Sequence, residues 1–136
     1  MLNNRKSRFV GSLLGCAFGD VLGAAIEMQS RSEILKQYSG LIRDFVATER
    51  GLGFGCYSDD TEMTLALARS ILRYSGVAGS ECAADYAEAF TPERGYGRSA
   101  IRVLSALQHG ADWRSTGTML FAEGSFGNGG AMRIAP

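Results

Sequence analysis

Cysteine and histidine are scarce in this sequence. Its 136 residues include three cysteines, Cys16, Cys56 and Cys82, and one histidine, His109. Three widely spaced cysteines do not form a disulfide framework, and no pair has the spacing of metal ligands. Cys16 and Cys82 lie in apolar helical patterns and are expected to be buried free thiols, while Cys56 has no adjacent basic residue to activate it. His109 ends a predicted helix and belongs to no nucleophile motif, so the pattern favours a helix-terminal position over a catalytic one.

An excess of charge of either sign is also absent. Lysine and arginine together number 14, as do aspartate and glutamate, so the formal net charge at pH 7 is zero. Proteins that bind nucleic acids or anionic membranes carry basic patches. We therefore expect neither nucleic acid nor a membrane as a partner, and the sequence does not indicate an oligomeric state.

Long hydrophobic runs are missing as well. A membrane helix needs ~20 consecutive apolar residues, whereas the run FVGSLLGCAFGDVLGAAIE is interrupted by Gly15, Gly19, Asp20 and Gly23. Basic residues precede this run, as in a signal peptide, but the helical pattern continues to Glu27 and no small-residue cleavage site ends an apolar core. We interpret the run as a buried helix and expect a cytoplasmic protein.

Apolar residues at helical spacing predict a mostly α fold. The predicted helices cover residues 8–28, 30–40, 59–76, 80–90 and 97–110, with the start of one more helix after the last glycine-rich loop. The sequence has no strand–helix alternation, repeat or low-complexity segment. Because helices with broad apolar faces need partners to cover them, we expect residues 1–136 to be the N-terminal part of one larger helical domain.

Four glycines recur every fourth residue of the first predicted helix. Gly11, Gly15, Gly19 and Gly23 therefore share one face of that helix. Each costs up to ~1 kcal/mol relative to alanine, so the spacing predicts that another element packs closely against this backbone.

The stretch YSDDTEM, residues 57–63, places two aspartates side by side at the start of a helix. Adjacent carboxylates repel each other. Ser58 is a candidate N-cap, and the helix dipole favours Asp59 and Asp60 in the first turn. Alternatively, two carboxylates and a hydroxyl are the hard oxygen ligands that Mg²⁺ prefers, and a cation would offset their repulsion. The spacing alone leaves both interpretations open.

The stretch GSFGNGGAMR, residues 124–133, is a glycine-rich loop followed by an apolar segment. Its glycines free the backbone to direct several N–H groups at an anion, and a following helix would add its dipole. The stretch has neither a P-loop lysine nor a preceding strand, so alone it is also compatible with a plain flexible loop.

Two acids lie seven residues apart in GDVLGAAIE. Seven residues are two helical turns, so Asp20 and Glu27 are predicted to lie near one face. We expect Asp20 to be a structural cap partner, whereas Glu27 could reach the acidic site as a ligand or a base.

Three stretches, in the chain order RFVGSLLGCAFGDVLGAAIE, YSDDTEMTLALARSIL and GSFGNGGAMRIAP, resemble the ADP-ribosylglycohydrolase family, in its ADP-ribosyl-acceptor hydrolase and dinitrogenase reductase-activating types. The resemblance spans essentially the whole chain, and GSFGNGGAMR is most similar to the branch that cleaves poly(ADP-ribose), serine-linked ADP-ribose and O-acetyl-ADP-ribose. It implies Mg²⁺-dependent hydrolysis of the glycosidic bond between ADP-ribose and an acceptor, so ADP-ribose conjugates are the expected partners.

The resemblance also implies an all-α, orthogonal multi-helix bundle, here incomplete, with a two-Mg²⁺ centre in a cleft. The family's metal-ligating stretch corresponds to Ser58, Asp59 and Asp60, and its catalytic glutamate corresponds to Glu27. The family's ADP-ribose-binding loop corresponds to Gly124, Ser125, Phe126, Gly127 and Asn128.

The sequence departs from the family pattern in two ways. Ser58 occupies a position where the family usually has threonine, which keeps the hydroxyl but loosens its rotamer. The family's C-terminal Asp-x-Asp-Thr motif, which supplies the remaining metal ligands, does not occur in these residues. Either the protein continues beyond Pro136, or the chain is a truncated, inactive product. A non-catalytic ADP-ribose-binding or structural protein on the same fold is the other alternative.

Overall fold

The computed structural model describes residues 2–48 and 52–136, and every regular element in these ranges is helical. The helices are α1 (Leu2–Gly23), α2 (Arg31–Tyr38), α3 (Asp59–Tyr74), α4 (Gly79–Ala89), α5 (Arg98–Gln108) and α6 (Trp113–Thr116). Single 3-10 turns cover Pro92–Arg94 and Asn128–Gly130. The predicted all-α class is thus confirmed. None of the described helices combines the length and the apolar content required to cross a bilayer.

Helix α3 is central to the packing. It contacts both α1 and α4, and α4 in turn contacts α5 and α6. The core consists of Met63 from α3, Leu104 from α5, and Phe90 and Tyr96 from the segment between α4 and α5. The rings of Phe90 and Tyr96 meet edge to face, with centroids 4.9 Å apart, so the segment that joins α4 to α5 is anchored by aromatic side chains.

The first helix ends earlier than its apolar pattern predicts. It stops at Gly23, and residues 24–28 form turns, so Glu27 lies outside the helix. The last turn tightens through a hydrogen bond from Ile26 N to the Gly23 carbonyl (3.0 Å). Met28 then adopts a left-handed φ of 68° that redirects the chain. Apolar spacing cannot reveal this exit, because the same residues that fit a longer helix also fit a turn packed against the core.

The glycine face of α1 does not pack closely against another element. A Cβ atom added at Gly11, Gly15, Gly19 or Gly23 would meet nothing within 4 Å among the described residues. The predicted close packing is therefore wrong for this part of the chain. Three of these glycines, at positions 15, 19 and 23, instead border an open cleft.

The buried face of α3 is more polar than its apolar spacing predicts. Thr64 and Ser70 are its largest fully buried side chains, whereas Tyr74 in its last turn is 47% exposed. Thr64 Oγ1 donates to the Asp60 carbonyl (2.8 Å), and Ser70 Oγ donates to Cys82 Sγ (3.5 Å). The Thr64 hydroxyl is satisfied within α3 and the Ser70 hydroxyl by a side chain of α4, so both buried polar groups have hydrogen-bond partners.

Local signals predicted the remaining boundaries well. The Ser30–Glu33 capping box is present at the start of α2. After the last glycine-rich loop, however, the predicted helix start is wrong, because a 3-10 turn at Asn128–Gly130 is followed only by a further turn. Consecutive glycines at 129 and 130 disfavour a regular helix here.

Candidate active site

The first turn of α3 is capped from two directions. Ser58 is the N-cap, as predicted, and its Oγ accepts a hydrogen bond from Asp60 N (3.3 Å). The Asp20 carboxylate of α1 accepts hydrogen bonds from both the backbone N–H and the hydroxyl of Ser58 (2.9 and 2.5 Å). It also accepts from the N–H and hydroxyl of Thr61 (3.1 and 2.6 Å). Asp20 is therefore the structural cap partner that the sequence suggested.

This capping fixes the orientation of the paired aspartates. Because Asp20 and Ser58 satisfy the amides of the first turn, the backbone of Asp59 and Asp60 is held against α1. Both aspartates are half-buried and border a cleft of about 620 Å³. They lie where the positive end of the α3 dipole stabilises negative charge.

The cleft brings together residues from three separate parts of the sequence. Glu27 reaches it from the turn after α1, although it lies outside that helix, and its side chain is exposed. Asn128 reaches it from the C-terminal glycine-rich loop. The floor of the cleft is the glycine face of α1, so the absence of side chains there leaves room for a ligand beside the carboxylates.

The glycine-rich loop lies partly at this cleft and partly at a neighbouring one. Ser125, Gly127 and Asn128 line an adjoining cavity of about 680 Å³, and Asn128 borders both cavities. Gly124 and Phe126 line neither of them, and the Phe126 side chain is fully exposed. The Ser125 hydroxyl accepts a hydrogen bond from Gly127 N (3.1 Å), so it stabilises the loop itself.

The donor set at the aspartate pair suits a hard cation. The Ser58 hydroxyl donates its proton to Asp20, so its oxygen keeps lone-pair capacity beside the carboxylates of Asp59 and Asp60. Mg²⁺ is commonly held by one or two carboxylates while it keeps several waters. Within residues 2–48 and 52–136, no three His, Cys, Asp or Glu side chains are grouped closely enough to form a complete ligand cage. The pair can thus contribute part of a coordination sphere.

Sequence reasoning missed a buried polar cluster behind the aspartates. Glu62, in the first turn of α3, is only 8% exposed. Its Oε1 accepts hydrogen bonds from Thr91 N (2.8 Å) and from the Tyr96 hydroxyl (3.0 Å). Arg94 Nε lies 3.7 Å from Glu62 Oε2. Burial, followed by the nearby Glu62 charge, raises the pKa of Tyr96, which keeps its hydroxyl protonated as a donor.

The three cysteines and the histidine are separate from the Asp59–Asp60 pair. Cys82 is buried, as predicted, whereas Cys16 is only half-buried. Cys16 borders the cleft, and its Sγ lies 3.5 Å from Thr64 Oγ1. His109 caps the end of α5 and is exposed, and its Nδ1 lies 2.7 Å from the Ser105 carbonyl. This is the predicted helix-terminal position.

Comparison with known proteins identifies the family. The family model described as ADP-ribosylglycohydrolase matches residues 1–136. The chain therefore belongs to the ADP-ribosylglycohydrolase family, as the ordered motifs indicated.

Several named relatives are similar over nearly the whole of this chain. ADP-ribosylhydrolase ARH3 of Danio rerio is 36% identical, and the match covers 96% of this chain and 36% of the relative. ADP-ribosyl-[dinitrogen reductase] glycohydrolase of Rhodospirillum rubrum is 35% identical, with 95% of this chain and 43% of the relative covered. The chain thus spans well under half the length of these relatives.

Proposed function

We propose that this protein acts, in its full-length form, as a Mg²⁺-dependent hydrolase of the glycosidic bond between ADP-ribose and an acceptor. The acceptor would be a protein side chain, poly(ADP-ribose) or an acetyl group. The observation that carries the proposal is the meeting of Glu27, the 58–60 stretch and Asn128 at one cleft. Membership of a family whose named relatives hydrolyse ADP-ribosyl linkages supports the same activity.

In this proposal, Ser58, Asp59 and Asp60 hold Mg²⁺ through hydroxyl and carboxylate oxygens. A bound divalent cation orients the sugar and increases the acidity of a bound water. Asp20 contributes indirectly, because its four hydrogen bonds fix the turn that carries the ligands.

Glu27 is the proposed proton-transfer group. Its carboxylate is exposed and borders the cleft, so it can exchange protons with water and with a bound conjugate. Hydrolysis adds the hydroxyl of a water to the anomeric carbon of the ribose and returns a proton to the acceptor. The glycine-rich loop, Gly124 to Asn128, would bind the diphosphate and ribose through its backbone N–H groups.

The decisive experiment measures release of ADP-ribose from serine-modified and arginine-modified peptides by the full-length protein, with and without Mg²⁺. We expect release only with Mg²⁺, and a loss of about 10²- to 10⁴-fold for Glu27→Gln, the range typical of a general acid–base group. Asp44→Asn, in an exposed position of the segment after α2, is the matched control and should retain activity. Metal-independent release would contradict the proposal.

Calorimetry separates metal ligands from helix caps. The full-length protein should bind Mg²⁺ and ADP-ribose, and Asp59→Ala and Asp60→Ala should each weaken Mg²⁺ binding. If both variants bind like the wild type, the two acids are helix-stabilising residues. Binding of ADP-ribose without turnover would instead favour a non-catalytic binding protein.

A further inference from the structure

Glu62 is a buried carboxylate that the proposed chemistry does not use. Burying an ionised carboxylate is unfavourable unless it is paired and hydrogen-bonded. Here Oε1 accepts from Thr91 N and from the Tyr96 hydroxyl, and Oε2 faces Arg94. The hydrogen bonds that stabilise the buried Glu62 carboxylate therefore come from residues that lie 29 to 34 positions later in the sequence.

The contacts of Glu62 differ from those of an ordinary helix-capping acid. Asp20 bonds to the N-terminal residues of α3, Ser58 and Thr61. Glu62 belongs to α3 itself, yet its hydrogen bonds reach away from the helix to the segment between α4 and α5. A role limited to favourable interaction with the helix dipole would not require those bonds.

The segment that Glu62 holds forms one wall of the candidate active-site cleft. Gly95 and Gly97 border this cleft together with Asp59 and Asp60, which belong to α3. Gly95 has a left-handed φ of 92°, a conformation that glycine adopts readily. Glycine also has many other conformations in the unfolded chain, so ordering it costs more conformational entropy than ordering another residue. A wall built on glycines needs external contacts to keep one shape.

Arg94 extends the same network to the other wall. Its Nη1 donates to the Tyr57 carbonyl (3.1 Å), and its guanidinium lies over the Tyr57 ring at 4.0 Å from the centroid. Tyr57 directly precedes Ser58. The Glu62 carboxylate therefore contacts the 91–97 segment directly and reaches the start of the acidic stretch through Arg94.

We propose that Glu62 is a positioning residue, which sets the distance between the Gly95–Gly97 wall and the Asp59–Asp60 pair and thereby shapes the cleft for its ligand. This inference rests on the proposed function for the identity of the ligand, but not for the contacts. Tyr96 transmits the effect, because its hydroxyl bonds to Glu62 while its ring packs on Phe90.

The first test is hydrogen exchange of the full-length protein, which does not depend on any ligand. Glu62→Gln should speed exchange of the amides from Thr91 to Gly97 by about tenfold, as expected for weakening one charge-assisted hydrogen bond. Tyr96→Phe removes only the hydroxyl contact and should produce a smaller change in the same amides. Glu93→Gln, an exposed acid in the same segment, is the matched control and should match the wild type.

The second test is ADP-ribose binding in the presence of Mg²⁺. Glu62→Gln should weaken the affinity by about tenfold, the lower end of the range for residues that orient a site indirectly. Raised KM with a smaller change in kcat would accompany it, while circular dichroism at the assay temperature stays native.

Two outcomes would overturn the inference. One is unchanged exchange at residues 91–97 in both Glu62→Gln and Tyr96→Phe. The other is faster exchange spread equally over all helices, which would mean that Glu62 only contributes general stability. If the wild type binds no ADP-ribose, the proposed function fails, and the exchange comparison still decides whether Glu62 positions the wall.

Discussion

At the scale of single residues, Asp20 and Glu62 have different roles near the start of α3. Asp20 fixes the turn that carries Asp59 and Asp60, whereas Glu62 contacts the segment on the far side of the cleft. Both lie behind the candidate ligands. Substituting Asp20 or Glu62 therefore tests the residues that support the site, while the proposed metal ligands remain unchanged.

Replacing Asp20 should be costly. Asp20→Ala leaves the N–H groups and hydroxyls of Ser58 and Thr61 without their acceptor, and we expect a loss of about 3 kcal/mol in the free energy of unfolding. The midpoint of urea denaturation measures it. Asp44→Ala, which removes an exposed carboxylate, should shift the midpoint little, and equal midpoints for the two variants would contradict the capping role.

Tyr96 should make the protein sensitive to alkali. Its pKa is raised in the folded state, so the folded protein holds the phenolic proton more tightly than the unfolded chain does. The associated stability is fully present below the unfolded-state pKa of about 10 and declines as the pH rises above it. Denaturation midpoints between pH 8 and pH 11 should fall, and Tyr96→Phe should flatten the slope. An unchanged slope in that variant would contradict this assignment.

At the scale of elements, the sequence predicted those helix boundaries that are determined by residues close together in the chain. The start of α2 follows from a capping box between adjacent turns, and Gly110 follows α5, whose C-cap is His109. The end of α1 could not be read in this way. Its apolar pattern continues past Gly23, and the left-handed conformation of Met28 depends on the tertiary arrangement.

The same distinction holds for the candidate site. The acidic stretch and its N-cap could be predicted from seven consecutive residues. The residues themselves suggested that Glu27 could reach the acidic site, whereas the position of Asn128 at the same cleft was implied only by the family resemblance. The Glu62 cluster was missed altogether, because its partners lie 29 to 34 residues away and carry no shared spacing.

The packing of α4 on α6 gives a prediction that fluorescence can test. A Cβ at Gly79 would overlap the six-membered ring of Trp113, which is the only tryptophan of the chain. Gly79→Ala should displace the indole toward solvent and shift its emission to the red. Gly76→Ala, where an added Cβ meets nothing within 4 Å, is the control. Identical spectra for the two variants would mean that the ring does not rest on Gly79.

At the scale of the whole molecule, the described chain leaves much apolar surface open. Along α1, Phe9, Leu14 and Phe18 are each more than half exposed, at 60%, 52% and 54%. Phe18 stacks on Phe45 with centroids 6.0 Å apart, and Phe45 meets Phe54 at 6.5 Å. Contiguous exposed apolar surface commonly marks an interaction site, and the chain covers only 36–43% of the length of two relatives that it matches.

We therefore expect residues 1–136 to be unstable as an isolated monomer. Apolar burial in such a chain is too small to offset the entropy of ordering it. Thermal melting followed by circular dichroism should give a broad, weakly cooperative transition. A sharp two-state melt of a monomer, verified by light scattering, would contradict this expectation.

The residues that cap α3 are also synthesised in a defined order. The chain is synthesised from its N-terminus, so Asp20 is made before Ser58 and Thr61, and its carboxylate is available to cap α3 once that helix emerges from the ribosome. The partners of Glu62 follow roughly thirty residues later. During translation, the acidic pair can thus acquire its final backbone conformation while the glycine wall opposite is still unmade.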